Sequence, residues 1–285
     1  MRLGIAFVPT LPPERLRDVA TTVEAAGLDE LWVWEDCFKE SAIGPAAAAL
    51  AFTKEMRVGI GLLPVPLRNV ALCAMELATL ERMFPRRLIA GVGHGVQSWM
   101  AQAGANVSSP LTLLEEYTST LRKLLAGERV SVEGRYVRLD DVALEWPPTT
   151  APPLMLGGAG PKSLALAGRL GDGTLLGTAL TGDEIAEACR QSLSACVGLR
   201  HPVVATLIAA AGAGAQRRVD NEVARWRKPS DQNVGVAGDA STIAGSIRRL
   251  ADLGVTSVAI HATQDEPDLP GFVRFLGQEV RPLCG

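Results

Sequence analysis

Three short stretches set groups capable of chemistry beside residues that let backbone approach a guest closely. Gly93-His94-Gly95 flanks one of three histidines with glycines, Asp36-Cys37 joins an acid to a thiol, and Gly157-Gly158-Ala159-Gly160-Pro161-Lys162 precedes an apolar periodic segment. A histidine can give or take a proton near neutral pH, so His94 is a candidate acid/base. Asp36 can accept a hydrogen bond from a ligand's ring or hydroxyl, whereas a lone Cys37 reads more readily as an inert thiol. In the glycine stretch the backbone N–H groups are open, Pro161 suits the first helical position, and a helix start attracts anions. Lys162 adds a point charge. The stretch lacks G-K-[ST], which excludes an NTP-type P-loop. His94, His201 and His261 are scattered and no acid pair has ligand spacing, so no metal site is expected. His201, ahead of Pro202 at a strand's start, reads as structural.

Such groups need elements that bring them to one end of a scaffold. Val58 to Leu63 is a short buried run stopped by Pro64 and Pro66. Asn69 can then cap a helix whose Leu72, Met75 and Ala78 face inward, and Leu88 to Val92 is a second buried run. Two buried strands joined by a helix form a right-handed parallel βαβ unit, with ligands beyond the strands' carboxyl ends. The alternation extends both ways, with strands expected near residues 4, 31, 59, 89, 155, 175, 205 and 259.

Helices are expected from Pro13 to Gly27, Pro45 to Thr53, Pro110 to Gly127 and after Pro161. Others follow the Thr181-x-x-Glu184 capping box, run through Val219, Val223 and Trp226, span Asp239 to Gly254, and run from Pro270 towards Pro282. A polar loop is placed at 229–232. Val130 to Leu139 alternates around Glu133-Gly134, a hairpin expected as an insertion around 128–152, outside the main sheet. With no linker dividing it, the chain reads as one α/β domain over residues 1–285, a TIM (β/α)8 barrel with insertions. An open doubly wound sheet is the runner-up. In a barrel the strand-end residues face the active site. That promotes Asp36, Cys37, Gly61, Leu62, Arg68, Gly93, His94, Trp99, the 157–162 stretch, Thr178 and His261.

Composition narrows the partners. Net charge −3 with pI near 5.7 gives no electrostatic reason to expect nucleic acid or an anionic membrane. The longest nearly unbroken apolar stretch, Val203 to Ala211, is far below the roughly 18 residues of a membrane span. The opening MRLGIAFVP runs straight into a strand without a signal-peptide cleavage region. Five cysteines without C-x-x-C spacing suit reduced thiols and a cytoplasmic setting.

With these residues in place, the chain resembles the bacterial luciferase-like monooxygenase superfamily, and within it the coenzyme F420 (deazaflavin)-dependent oxidoreductases. The marks are Gly4-Ile-Ala-Phe-Val-Pro9, Leu31-Trp-Val-Trp-Glu-Asp36, Gly59-Ile-Gly-Leu-Leu-Pro-Val-Pro-Leu-Arg-Asn69, Gly91-Val-Gly-His-Gly95, Gly158-Ala-Gly-Pro-Lys162, Leu166-Ala-Gly-Arg-Leu-Gly-Asp-Gly173 and Leu250-Ala-Asp-Leu-Gly-Val255, in that order. The resemblance implies a barrel whose mouth holds a flavin or deazaflavin. It also implies a non-prolyl cis peptide at Gly61-Leu62 beneath the ring, and cofactor phosphate on the Gly157, Gly158, Ala159, Gly160, Pro161 and Lys162 loop. Cys37 stands where deazaflavin members often carry His, Ala6 and Val96 where two subgroups carry acids, and Arg68-Asn69-Val70 where Arg-His-Pro is usual. Neither subgroup's substrate or proton donor is therefore carried over.

The leading expectation is an F420-dependent oxidoreductase moving a hydride between the deazaflavin and a small organic substrate. Asp36 and His94 are its catalytic candidates, and Gly61, Leu62 and Gly93 lie beside the cofactor. The alternatives are an FMN-dependent monooxygenase and a non-catalytic flavin-binding relative. A flavin-free phosphosugar enzyme is disfavoured, since no strand-end lysine or acid–histidine pair is evident. A homodimer is a family-level expectation.

Overall fold

The computed structural model describes residues 1–198, 200–228 and 234–285. The chain begins with β1 (Arg2–Ala6), α1 (Leu16–Ala25), β2 (Glu30–Val33), α2 (Ile43–Phe52) and β3 (Arg57–Ile60). A two-residue strand β4 (Leu63–Pro64) follows, then α3 (Val70–Met83) and β5 (Leu88–Gly93). Short α4 (Gln97–Gln102) and long α5 (Pro110–Leu125) precede the strands β6 (Val130–Glu133) and β7 (Arg138–Val142). Next come β8 (Leu154–Gly157), α6 (Pro161–Leu170), β9 (Gly173–Leu175), α7 (Gly182–Ser194), β10 (Val203–Ala210) and α8 (Ala215–Arg225). After these are β11 (Gly235–Ala237), α9 (Ala240–Asp252), β12 (Ser257–Ala262) and α10 (Leu269–Phe275).

Eight of these strands form the expected closed parallel barrel. The sheet order is β10-β12-β1-β2-β3-β5-β8-β9, and pairing of Val203 with Thr174 joins its two ends. β11 extends the outer end of β10, and β4 continues the third stave against β5. β6 and β7 form a separate antiparallel pair. Their turn is fastened to α5 by Glu116, whose carboxylate accepts the Arg135, Tyr136 and Val137 amides at 2.9, 2.9 and 3.1 Å.

Local signals in the chain account for many boundaries. Asn69 accepts the Ala71 amide at 2.8 Å, Asp239 caps the Thr242 amide at 2.9 Å, and Thr181 and Glu184 bond reciprocally as a capping box. Gly27 and Gly254 close α1 and α9 in the left-handed region, at φ +75° and +103°.

Two readings are corrected. Leu72 and Met75 of α3 are exposed, and the inward face is Val70, Cys73, Ala74, Leu77 and Ala78. The helix is apolar on two sides, and the side that carries Cys73, Ala74 and Ala78 is the one buried. Trp226 does not continue the buried Val219–Val223 stripe but ends α8, 41% exposed. The short elements α4 and β11 had no periodicity long enough to register. The loop placed at 229–232 lies outside the described residues.

The barrel interior is plugged. Alternate residues of the strands point inward, where Ala6, Trp32, Ile89, Met155, Leu175, Val204 and Ala259 form one buried cluster. Trp32 takes the space of several side chains, and a Cβ on Gly59 would run into its ring. Below it, buried Glu30 accepts the Trp32 Nε1–H at 3.0 Å and the Ser257 hydroxyl at 2.8 Å, facing Arg57 at 3.3 Å.

Candidate functional site

Above this plug the carboxyl ends of the strands surround a cavity of about 590 Å³. β2 contributes Trp34, Glu35 and Asp36; the β3–β4 connection, Gly61 and Leu62; and the loop after β5, His94 and Trp99. Gly157 to Gly160 enter from β8, Gly177 and Thr178 from beyond β9, Thr206 from β10 and Trp226 from the end of α8. Leu62 is placed by glycines. The Gly61–Leu62 peptide is cis, and a Cβ on either Gly93 or Gly157 would strike the Leu62 side chain. Gly93 therefore acts behind the cavity lining, admitting Leu62 rather than facing the space itself.

The 157–162 stretch becomes the end of β8 and the first turn of α6. Gly160 is the N-cap in ordinary extended backbone, φ −91°, and Pro161 is the first helical residue. The first-turn amides of a helix have no carbonyl partner within it, so those of α6 open towards the mouth. A Cβ on Gly160 or on Gly177 would have no protein atom within 4 Å. Neither strain nor packing calls for glycine at these two positions. The space they leave suits a guest whose anionic end lies on the helix start, so the residues present fit a phosphate-bearing cofactor. Pro161 and Lys162 are exposed, and neither lies in the lining.

His94 and this loop are tied together. His94 Nε2 lies 2.8 Å from Ser163 Oγ, the bond's direction being set by the tautomer, while Nδ1 is buried without a partner among the described residues. Burial lowers the imidazole's pKa below its ordinary value, outweighing the opposing influence of the Pro110 carbonyl. Its first role is therefore a strut between β5 and α6. Asp36 is half-buried with Lys39 Nζ at 3.4 Å from its carboxylate. Cys37 is outside the lining, and burial together with the Glu35 and Asp36 charges raises its thiol pKa, which disfavours a nucleophile.

Arg68 is spent on neighbours. It donates to both Glu35 oxygens at 3.0 and 3.2 Å and places Nε 2.8 Å from Glu76, so its charge is not presented to the mouth. Thr178 and Trp99 are in the lining, as their strand-end positions suggested. His261 lies one layer back, buried, its ring stacked on Trp34 (6.0 Å, 17°) and meeting Trp226 edge-on (5.8 Å, 81°). His261 Nε2 contacts Glu222 at 3.2 Å, and Glu222 also accepts the Gln264 amide at 3.0 Å and Arg225 at 2.7 Å. Burial alone would raise the Glu222 carboxyl, but these donors, His261 foremost, bring its pKa down to about 2. Trp34, Thr206, Ser163, Glu222 and the place of Trp226 in the lining escaped sequence reasoning, which promoted His261 by its strand-end position but not its partners. They are joined only by barrel closure, and an aromatic at helical spacing reads as core.

Among the described residues no group of three or more His, Cys, Asp or Glu could hold a metal ion, and no helix is long and apolar enough to cross a membrane. Comparison with known proteins adds a family. The model of the luciferase-like monooxygenases matches residues 1–196. The chain is 28% identical over 176 residues, 62% of its length, to a 5,10-methylenetetrahydromethanopterin reductase of Methanolobus tindarius, of which it covers 54%. It is 31% identical over 215 residues, 68% of its length, to an F420-dependent glucose-6-phosphate dehydrogenase of Kineococcus radiotolerans, of which it covers 63%. It thus spans about half to two-thirds of these relatives' own lengths. The fold matches the coenzyme F420-dependent tetrahydromethanopterin reductase of Methanopyrus kandleri over all of this chain and 99% of that one, at TM-score 0.85 and 19% identity. It also matches monooxygenase RslO1 of Streptomyces bottropensis over 99% of both chains, at TM-score 0.85 and 17% identity. The glycine-lined mouth and the matched family model agree, and the chain belongs to the luciferase-like monooxygenase family.

Proposed function

We propose that this protein is a coenzyme F420-dependent oxidoreductase, working on a small organic substrate in the barrel mouth. The observation that carries it is the pair Gly160 and Gly177, whose missing side chains leave a cradle beside the start of α6. The F420-dependent names of the relatives over residues of this chain support the deazaflavin in particular. Bound there, F420 would supply a hydride to the substrate, or take one from it, at its C5.

The chain's own part is positioning. The amides of Gly157, Gly158, Ala159 and Gly160 and of the first turn of α6 would hold the phosphate, and the His94–Ser163 bond fixes that turn against β5. Gly61 and Leu62 support the ring. Asp36 accepts a hydrogen bond from cofactor or substrate, and it or His94 moves the proton that balances the hydride. The plug would close the floor of the mouth beneath a bound cofactor.

A second reading, an FMN-dependent monooxygenase, is favoured by structural neighbours that include RslO1 and an oxygenase solved in complex with FMN. In either case we read residues 1–285 as one barrel domain with β6–β7 as an insertion. The exposed Leu72, Met75 and Met83 on one face of α3 support a homodimer, and a cytoplasmic location fits the free cysteines.

Fluorescence titration with F420 and with FMN tests the proposal, followed by single-turnover hydride exchange. Saturable F420 binding at least tenfold tighter than FMN is expected. FMN binding with oxygen consumption instead establishes the second reading, and binding of neither ends both.

A further inference from the structure

The lining of the mouth carries charges of one sign. Its charged side chains are Glu35 and Asp36, and among the described residues no lysine or arginine lines it. Leu199 and residues 229–233, outside the described set, are by sequence neither lysine nor arginine. The two lining carboxylates are themselves ion-paired, Asp36 with Lys39 and Glu35 with Arg68, which also holds Glu76, while Arg225 is held by Glu222. An anionic substrate placed away from the α6 turn would find no unpaired cation in the described lining, which disfavours binding in a low-dielectric cleft.

Of the three indoles in the lining, Trp34, Trp99 and Trp226, two share one support. Trp34 and Trp226 both rest on the buried His261 ring. His261 is in turn held by Glu222, which also accepts from Gln264 and Arg225, so strand β12, helix α8 and the chain beyond β12 converge behind the wall. Side chains fixed in this way present aromatic surface at small entropic cost. Trp226 is the more informative of the two. It ends α8, keeps 41% of its surface exposed while packing edge-on against His261, and is part of the cavity lining.

We propose that the substrate seated in this mouth is an uncharged, largely apolar molecule, such as a cyclic or aromatic ketone or its alcohol. It lies against the Trp34–Trp226 wall and carries no phosphate or carboxylate. Trp226 is then a specificity-determining residue, and His261 and Glu222 are positioning residues that act through it. This substrate class rests on the oxidoreductase reading, but the wall can be probed without it. A planar apolar guest covers the indole faces whether or not the cofactor is present, whereas a sugar phosphate gains nothing from them.

The test uses 1-acetonaphthone as the neutral probe and glucose 6-phosphate as the anionic one, on the full chain with and without F420. Binding is read by quenching of tryptophan fluorescence and by calorimetry. Acetonaphthone is expected to bind saturably, with glucose 6-phosphate at least about tenfold weaker. Trp226→Ala should weaken acetonaphthone roughly tenfold, and Trp226→Phe should restore it to within about threefold. Circular dichroism and thermal melting establish that both variants are folded. Glucose 6-phosphate binding as tightly as acetonaphthone to the F420-loaded protein, no saturable acetonaphthone binding, or an unchanged acetonaphthone affinity in Trp226→Ala would each overturn the proposal. Failure of F420 to bind while acetonaphthone still obeys this pattern removes the oxidoreductase reading and leaves the apolar wall standing.

Discussion

The two sides of the barrel mouth are built by opposite means. On the β5–β8 side the working groups are backbone amides, presented by glycines and a helix start within a single stretch of seven residues, 157–163, with His94 as their brace. On the β2–β12 side they are side chains, Trp34 and Trp226, aligned by His261 and Glu222 from three distant parts of the chain. The first side suits a ligand group common to many reactions, because amides recognise charge and little else. The second can change with a single substitution and leave the first intact. Division of the mouth into a constant half and an adjustable half follows from that difference.

Gly160→Asp is the sharpest way to break the comparison. An aspartate is a preferred helix N-cap, so thermal stability should hold or rise by a few tenths of a kcal/mol. Its carboxylate would take the amides of the α6 turn and repel an anion, lowering F420 affinity about hundredfold, near 2.7 kcal/mol, in a fluorescence titration. Unchanged affinity would remove the glycine side from the site.

On the other side, Glu222→Leu should destabilise the protein by about 2 kcal/mol in urea melts, through donors left buried without their acceptor. The effect depends on pH with a definite sign. The folded Glu222 pKa is about 2, below its unfolded value. Its stabilisation is therefore fully present above the unfolded value of roughly 4.3 and lost as pH falls towards the folded one. Urea midpoints of wild type and Glu222→Gln should differ by a constant amount from pH 6 to 7 and converge as pH approaches 2.

A smaller effect is expected at the brace. His94→Ala should weaken F420 roughly tenfold by freeing Ser163, while acetonaphthone affinity stays within about twofold. Smallest of all is Lys162→Ala. With its side chain outside the lining, F420 affinity should fall by less than about threefold, and added salt should erase the difference.

The same contrast explains what the sequence made legible. The barrel, its eight strand positions and the glycine loop were readable because each rests on neighbours in the chain. Buried runs end at Gly or Pro, caps precede helices, and Gly160-Pro161 opens α6. Luciferase-like motifs placed the cis peptide at Gly61–Leu62, which the structure has. The aromatic wall was not readable, since residues 34, 222, 226 and 261 come together only when β12 closes beside β1 and α8 packs over β10. On α3, two apolar stripes competed, and only packing against the barrel decides that Cys73 and Ala74 go in while Leu72 and Met75 stay out. Arg68 looked available at a strand end until Glu35 and Glu76 were found to hold it.

Trp32, wedged against Gly59 and pinned through its indole N–H to Glu30, stops up the bottom of the barrel. Whatever enters the mouth therefore rests on packed side chains, and replacing Trp32 by a smaller residue would deepen the floor rather than widen the rim.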